Sequence, residues 1–219
     1  MKKIILSVIL ILSLTGCSGF QRFDAQEYVQ AILDQTFQGD VTGALRVIPG
    51  ATREELVQQY EQGIAMFVLN NIVSGMPVNE EEITDYIALC KAIFSAMRYQ
   101  VKEAERISRT EYQVEVVIHP VDVFVNFVAE LVKVSEEIRE RVEDGEYAGS
   151  DEEINLQMQE EFVERSYELL VQAAIDITYG EAVTLTLGVR ADEDNVFTVV
   201  TEDLSNMIIK ILRLDEIQG

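Results

Sequence analysis

The sequence is poor in the residues from which most catalytic and metal sites are built. Its 219 residues include one histidine, two cysteines and no tryptophan. Zinc sites draw mainly on Cys and His ligands, so this inventory disfavours zinc. No glycine-rich phosphate loop and no G-x-S-x-G, H-E-x-x-H or C-x-x-C motif occurs. The sequence therefore predicts no cofactor, no metal site and no catalytic residues.

Basic residues are also scarce, with 17 lysines and arginines against 39 acids and a formal net charge of −22. Because residues 1–16 contain Lys2 and Lys3 but no acid, a chain that begins at residue 17 carries −24. The phosphates of nucleic acids and of anionic lipids need basic partners. The charge argues against a nucleic-acid partner and against membrane binding through surface charge.

Long hydrophobic runs are absent apart from one at the N-terminus. Lys2 and Lys3 precede the apolar run 4–14, which is too short for a membrane-spanning helix of about 20 residues. A short apolar run after a positively charged start is typical of a secretory signal. We expect residues 1–16 to be a signal peptide rather than a transmembrane helix.

The segment Leu14-Thr15-Gly16-Cys17 follows this run and resembles the lipobox of bacterial lipoproteins. The resemblance implies that Cys17 is lipidated, that cleavage before it frees its amine, and that the lipid anchors the protein to the extracytoplasmic face of the cell membrane. The alternative is an ordinary secretory signal followed by an incidental cysteine. Attachment of two or more acyl chains gives stable anchoring, whereas one gives only marginal binding.

The mature chain is expected to consist of a lipid-anchored tether, residues 17–23, and a single extracytoplasmic domain, residues 24–219. Hydrophobic periods of three to four residues predict its helices, at 24–38, in a short segment capped by Asp40, from Thr52 to a break at 75–77, and at 79–97, 122–144, 150–179 and 203–214. Alternating patterns predict its strands, at 99–107, 112–118, 183–189 and 196–201.

These elements predict an α+β fold in which two β-hairpins share one small antiparallel sheet with several amphipathic helices packed on one of its faces. A shared sheet is favoured over two separate hairpins, because an isolated hairpin is marginally stable in water. The apolar rows Tyr112, Val114, Val116 and Ile118, and Val183, Leu185, Leu187 and Val189, should face the helices. The opposite face should be solvated, and this face or a sheet edge should be open to a partner; the face carries Gln113, Glu115, Thr184, Thr186 and Arg190.

Two isolated residues could carry chemistry, but a structural role is the simpler interpretation of both. Cys90 lies between Ile87 and Phe94 on an apolar helical stripe, which predicts a core residue. His119 precedes Pro120 at the end of a strand. A nucleophilic dyad of Cys90 and His119 would need an orienting group and an oxyanion site, and the sequence identifies neither.

The acidic runs have structural explanations as well. Runs 80–82 and 151–153 fall in the first turns of predicted helices, where negative charge suits the helix dipole. The run 192–195 lacks the glycine and the terminal glutamate of a calcium loop, so it is interpreted as a hairpin tip. A carboxylate pair for hydrolysis remains an alternative that no particular residues mark.

Segments 28–40 and 112–116 resemble parts of uncharacterised Gram-positive lipoproteins. The resemblance favours a Gram-positive envelope, with a Gram-negative envelope as the open alternative, and supplies no activity. The expected function is a membrane-anchored, non-catalytic binding or interaction domain of the cell envelope, with an envelope protein as a possible partner. The alternative is an envelope hydrolase. A solute-binding receptor is disfavoured, because alternating βαβ units are absent.

Overall fold

The computed structural model describes residues 23–217, which form helices and one antiparallel sheet, an α+β class as expected. The helices are α1 (Ala25–Leu33), α2 (Ala44–Val47), α3 (Arg53–Phe67), α4 (Glu80–Ser95), α5 (Val123–Glu143), α6 (Asp151–Ile175) and α7 (Thr201–Ile211). The strands are β1 (Arg98–Arg106), β2 (Glu111–His119), β3 (Val183–Ala191) and β4 (Phe197–Val199). The predicted signal peptide, Cys17 and the tether up to residue 22 lie outside the described residues.

Polar side chains begin three of the helices where the sequence predicts them. Thr52, Asn79 and Ser150 each accept a hydrogen bond from a backbone N–H in the first turn, and the glutamate three residues later binds back to the cap residue's N–H. These capping boxes satisfy backbone donors that otherwise lack partners at a helix start. Local sequence is therefore sufficient to begin these helices.

The prediction that Asp40 caps the second helix is wrong. Helix α2 is a single turn, and the residue before it, Gly43, has no side chain with which to cap it. Asp40 instead accepts a hydrogen bond from the Thr42 backbone N–H at 2.8 Å, which closes a tight turn. Hydrogen bonds from the Thr42 side chain and backbone hold the pKa of Asp40 below its usual value.

Helices α1 and α3 each continue into one π-helical turn, Asp34–Gln38 and Val68–Ile72. Gly39 ends the first with a left-handed φ of 66°. A Cβ at Gly39 would lie 2.7 Å from the Tyr60 ring, so close packing as well as backbone conformation requires glycine.

The two hairpins join in one sheet of order β1-β2-β3-β4, and all neighbouring strands are antiparallel. The pairing of β2 with β3 confirms the predicted union of the hairpins. In the register, Val116 stands between Val101 of β1 and Leu185 of β3. At the edge, Lys102 and Glu103 of β1 oppose Glu115 alone, which makes a β-bulge.

The helices cover one face of the sheet, as expected. The β2 row Tyr112, Val114, Val116 and Ile118 is buried in the core, whereas Gln113, Glu115 and Thr186 on the other face are exposed. One prediction for the apolar row is wrong, since Val183 is 39% exposed. It pairs with Ile118 at the end of the sheet, next to the exposed residues 180–182.

The helix predicted over 150–179 ends at Ile175, because long-range contacts hold the following residues in another conformation. Asp122 accepts a hydrogen bond from the Thr178 N–H, and Tyr179 donates its hydroxyl to the Ala96 carbonyl. The final helix is also displaced, to Thr201–Ile211, and the last strand shortens to Phe197–Val199.

Helix α6 packs on the core with only the second half of the apolar stripe that its spacing predicts, Ile154, Met158, Phe162, Leu169, Leu170, Ala173 and Ile177. Its buried residues are Val163, Ser166 and Leu170. Ile154, Met158 and Phe162 from the predicted stripe are only half-buried. The prediction assumed that the whole helix packs on the core, and the first half of α6 does not.

Candidate interaction site

The helical hairpin α5–α6 has a basal half in the core and a distal half outside it. Val123, Phe124 and Phe127 at the start of α5 belong to the main core cluster, as does Leu170 of α6. Further along the hairpin, the buried residues Val134, Ile138 and Val163 do not belong to it. The distal half therefore depends on contacts within the hairpin, with α4 and with the segment before α4.

A carboxylate at Glu161 joins the two helices of the distal half. It accepts hydrogen bonds from Arg141 at 2.5 Å and from the Tyr147 hydroxyl at 2.7 Å, and Arg165 lies 3.8 Å away. Arg165 also pairs with Glu137 of α5 at 2.6 Å. A network of several charges holds geometry better than an isolated surface pair.

A groove of about 340 Å³ lies between this distal half and the segment that precedes α4. All of its lining residues are uncharged: Gly75, Met76, Pro77, Ser135, Ile138, Asn155, Met158, Gln159 and Phe162. The four that α6 supplies are spaced as one helical face, so the helix presents them together. The groove is thus an uncharged strip on a chain of net charge −22.

Met76, one wall of the groove, is held from behind by a buried polar pair. The Ser166 hydroxyl lies 3.9 Å from the Met76 sulfur and accepts a hydrogen bond from the Tyr86 hydroxyl at 3.1 Å. Ser166 and Tyr86 are 0% and 1% exposed. This pair could not be predicted from the sequence, since a serine and a tyrosine far apart in sequence carry no local signal of contact.

The open face of the sheet is the site that the sequence led us to expect, and it carries both signs of charge. Arg190 pairs with Glu111 at 3.0 Å, and Arg98 stacks 3.6 Å from the centre of the Tyr179 ring. The bulge and charged residues at Lys102 and Glu103 protect the β1 edge against strand addition. The face therefore offers paired charges to a partner.

A second cleft, of about 260 Å³, carries the carboxylates that a hydrolase would need. Asp24, Glu27 and Asp34 line it together with Arg46. Asp24 caps α1, and Glu27 pairs with Arg46 at 3.3 Å. Asp34 accepts hydrogen bonds from Gln30 and from the Tyr99 hydroxyl, at 2.7 Å and 2.6 Å. Each carboxylate therefore has a structural partner that accounts for its position.

Cys90 and His119 are not brought together as a dyad. Cys90 is 0% exposed on α4, and burial raises the pKa of its thiol to about 12, which suits a core residue. His119 is half-buried and pairs with Arg98 in the sheet register. Cys90 belongs to the core cluster, whereas His119 does not.

The acidic run 192–194 forms a hairpin turn, as expected. Asp192 accepts hydrogen bonds from the backbone N–H groups of Asp194 and Val196, both at 2.9 Å. Within the described part of the chain, no group of three His, Cys, Asp or Glu side chains is placed to hold a metal ion. None of the helices described there has the length and apolar character needed to cross a membrane.

Comparison with known proteins finds a similar fold in a candidate lipoprotein, YcdA of Bacillus subtilis, whose crystal structure superposes with a TM-score of 0.52 at 13% identity. The match covers 87% of this chain and 56% of that protein, so the chain spans little more than half of its length. At this identity the similarity concerns the fold. No protein-family model and no curated protein sequence matches the chain.

Proposed function

We propose that this chain is a bacterial envelope lipoprotein, anchored through lipid on Cys17, whose domain 24–219 binds a partner protein without catalysing a reaction. The observation that carries the binding role is the uncharged groove on the acidic α5–α6 hairpin. The Leu14-Thr15-Gly16-Cys17 segment supports the anchor, and the fold similarity to a candidate lipoprotein agrees with it. One continuous core cluster from Ala25 to Leu214 supports a single domain.

The start of the domain indicates how the anchor would orient it. Phe23 stacks on Phe197 at 3.9 Å and contacts Tyr112 at 5.5 Å between ring centres. Only residues 18–22 would separate the lipid from this aromatic cluster, a reach of roughly 20 Å. The sheet end that carries both hairpin turns would therefore lie near the membrane.

The α5–α6 hairpin joins the sheet at its other end. Val121, just before α5, forms a β-bridge with Tyr179 after α6, beyond the last residues of β2. Strand β2 separates this point from Tyr112 by a length of roughly 25 Å. The base of the hairpin would thus stand away from the lipid.

An envelope hydrolase remains the alternative, and the cleft lined by Asp24, Glu27 and Asp34 is where its carboxylates would lie. The structural partners of these three side chains favour the binding role. In a hydrolase of this kind, two of these carboxylates would flank the scissile bond, one as general acid and the other as base or nucleophile.

The anchor is tested with the two cysteines of the chain. Cys17→Ser should abolish labelling by a fatty-acid analogue and move the protein out of the membrane fraction, because the acylated thiol is lost. Cys90→Ala, which leaves Cys17 intact, should keep both properties. Equal labelling of Cys17→Ser and the parent would contradict the anchor.

The binding role is tested with a photo-crosslinking amino acid placed at one of two exposed glutamines in living cells. Position 159 lines the groove, and position 113 lies on the open sheet face. Defined protein adducts from position 159, and none from position 113, are expected. Adducts from position 113 alone would move the binding role to the sheet, and none from either position would contradict it.

A further inference from the structure

We propose that the groove on the α5–α6 hairpin binds an amphipathic helical segment of the partner protein that carries lysines or arginines beside its apolar side chains. This inference rests on the proposed binding function and adds the chemistry of the partner. Three observations carry it: the apolar walls of the groove, its size, and the charge that surrounds it.

The walls of the groove can adapt to apolar side chains of different shapes. Met76 and Met158 face the groove with Phe162 and Ile138. Methionine side chains are flexible and polarisable, so they adapt to different apolar partners. Ser135, Asn155 and Gln159 add uncharged hydrogen-bonding groups at the margin, where the backbone or polar side chains of a bound segment would pass.

The size of the groove suits a few side chains. Its volume of about 340 Å³ is at the lower end of the range of roughly 300–1,000 Å³ that ligand pockets occupy. A helix that lies along a groove inserts apolar residues spaced three or four apart. The groove would take one or two of these and leave the rest of the helix against its rim.

The hairpin that carries the groove is strongly acidic as a whole. Residues 122–176, which contain α5 and α6, carry sixteen acids and four bases. Two of the bases, Arg141 and Arg165, are held in ion pairs with glutamates of the same hairpin. On the groove-lining face of α6, the exposed Asp151 and Glu152 lie one turn before Asn155.

This distribution of charge favours some partners of the groove over others. A second copy of the chain would bring another acidic hairpin against the first, and an anionic lipid surface would be repelled in the same way. A segment with basic residues beside its apolar side chains meets complementary charge at the rim, which speeds association and disfavours acidic competitors. The groove therefore fits a cationic amphipathic helix.

The test uses the full lipidated protein in phosphatidylcholine nanodiscs and fluorescent peptides of about five helical turns. One peptide has an apolar face and a lysine-rich polar face, and its matched control has glutamates in place of the lysines. Anisotropy should show saturable binding of the lysine peptide, at least about tenfold tighter than the glutamate peptide. Binding should weaken as salt rises from about 0.05 to about 0.5 M. Binding to empty nanodiscs is subtracted.

Three variants locate the binding. Gln159→Lys adds a positive charge at the groove and should lower the affinity for the lysine peptide at least about fivefold. Gln159→Glu should leave that affinity unchanged or raise it. Gln113→Lys makes the same change on the open sheet face and should have no effect. Both positions are exposed, so the melting temperatures of all three variants should stay close to that of the parent.

The outcomes separate this inference from the proposed function. Equal affinity for the lysine and glutamate peptides would overturn the cationic partner, while adducts at position 159 in cells would still support a binding groove. Equal weakening by Gln159→Lys and Gln113→Lys would show attraction by overall charge and would overturn the groove as its site. Tighter binding of the glutamate peptide would also overturn the inference.

Discussion

Cys90 is packed on α4 between residues of the core, and its 0% exposure confirms the interpretation of this side chain from its helical spacing. Burial raises the pKa of its thiol to about 12, so little reactive thiolate forms near neutral pH. We expect Cys90, in a Cys17→Ser background, to react with a thiol reagent at least about 100-fold more slowly than an exposed cysteine until the protein unfolds.

An exposed reference for this experiment is Gln113→Cys in a chain that also carries Cys90→Ala and Cys17→Ser. Gln113 lies on the open face of the sheet. Rapid labelling of native Cys90, at a rate near that of the reference, would contradict its role in the core.

The two faces of the sheet should respond differently to the same charge. Val116 is 0% exposed, so Val116→Asp buries a carboxylate without a partner and should cost more than about 3 kcal/mol, enough to unfold much of the protein. Thr186→Asp places the same group in solvent. It stands opposite Glu115, so its cost should be up to about 1 kcal/mol.

Urea denaturation followed by circular dichroism measures both changes. A loss of stability in Thr186→Asp as large as that in Val116→Asp would mean that the second face is covered too. The open face would then no longer be accessible to any partner.

The connection from β4 to α7 is held against the sheet at Gly188. The Gly188 N–H donates to the Asp203 carboxylate at 2.8 Å, and its carbonyl accepts from the Val200 N–H at 2.7 Å. A Cβ at Gly188 would lie 2.9 Å from the Val200 side chain, which cannot move aside easily. Gly188→Ala should therefore cost about 1–3 kcal/mol.

Gly180→Ala is the matched control, since a Cβ there would meet only Pro120 atoms, at 3.7 Å or beyond. Its effect on the free energy of unfolding should stay within about 0.5 kcal/mol. Thermal unfolding compares the melting temperatures of the two variants. Equal values would show that α7 does not depend on close approach at Gly188.

The stability of the whole molecule should depend on pH in two opposing ways. Hydrogen bonds from Thr52 lower the pKa of Glu55, and hydrogen bonds from Ser150 lower that of Glu153. For Asp122, burial opposes the change, but hydrogen bonds from Thr178 lower the pKa. Because these groups bind protons less readily when folded, the stability they contribute is present above about pH 4.5 and is lost as the pH falls through their folded values.

The net charge of −22 acts in the other direction. Repulsion among the acids decreases as they begin to take up protons, so the melting temperature should rise or stay level from pH 7 to about pH 5 and fall below about pH 4. Added salt at pH 7 should raise the melting temperature by screening the repulsion. A melting temperature that falls with salt at pH 7 would show that attractive pairs dominate.

Sequence alone determined the features that depend on neighbours a few residues apart. The capping boxes at Thr52, Asn79 and Ser150, the helix end at Gly39 and the alternating row from Tyr112 to Ile118 all follow from local rules. They could be predicted because a cap, a left-handed residue or a two-residue period is complete within one segment. The α+β class follows from the order of these segments.

Only the tertiary structure decided what depends on partners far apart in sequence. The α6 helix stops at Ile175 because Asp122 and Ala96 bind residues 178 and 179, which a local pattern extends as helix. Met158 and Phe162 have the spacing of a core stripe, yet they line an open groove, because the main core does not reach the distal half of the hairpin. An apolar helix face is stabilised when another surface covers it. Only the packing of the whole chain determines whether that surface belongs to the same protein.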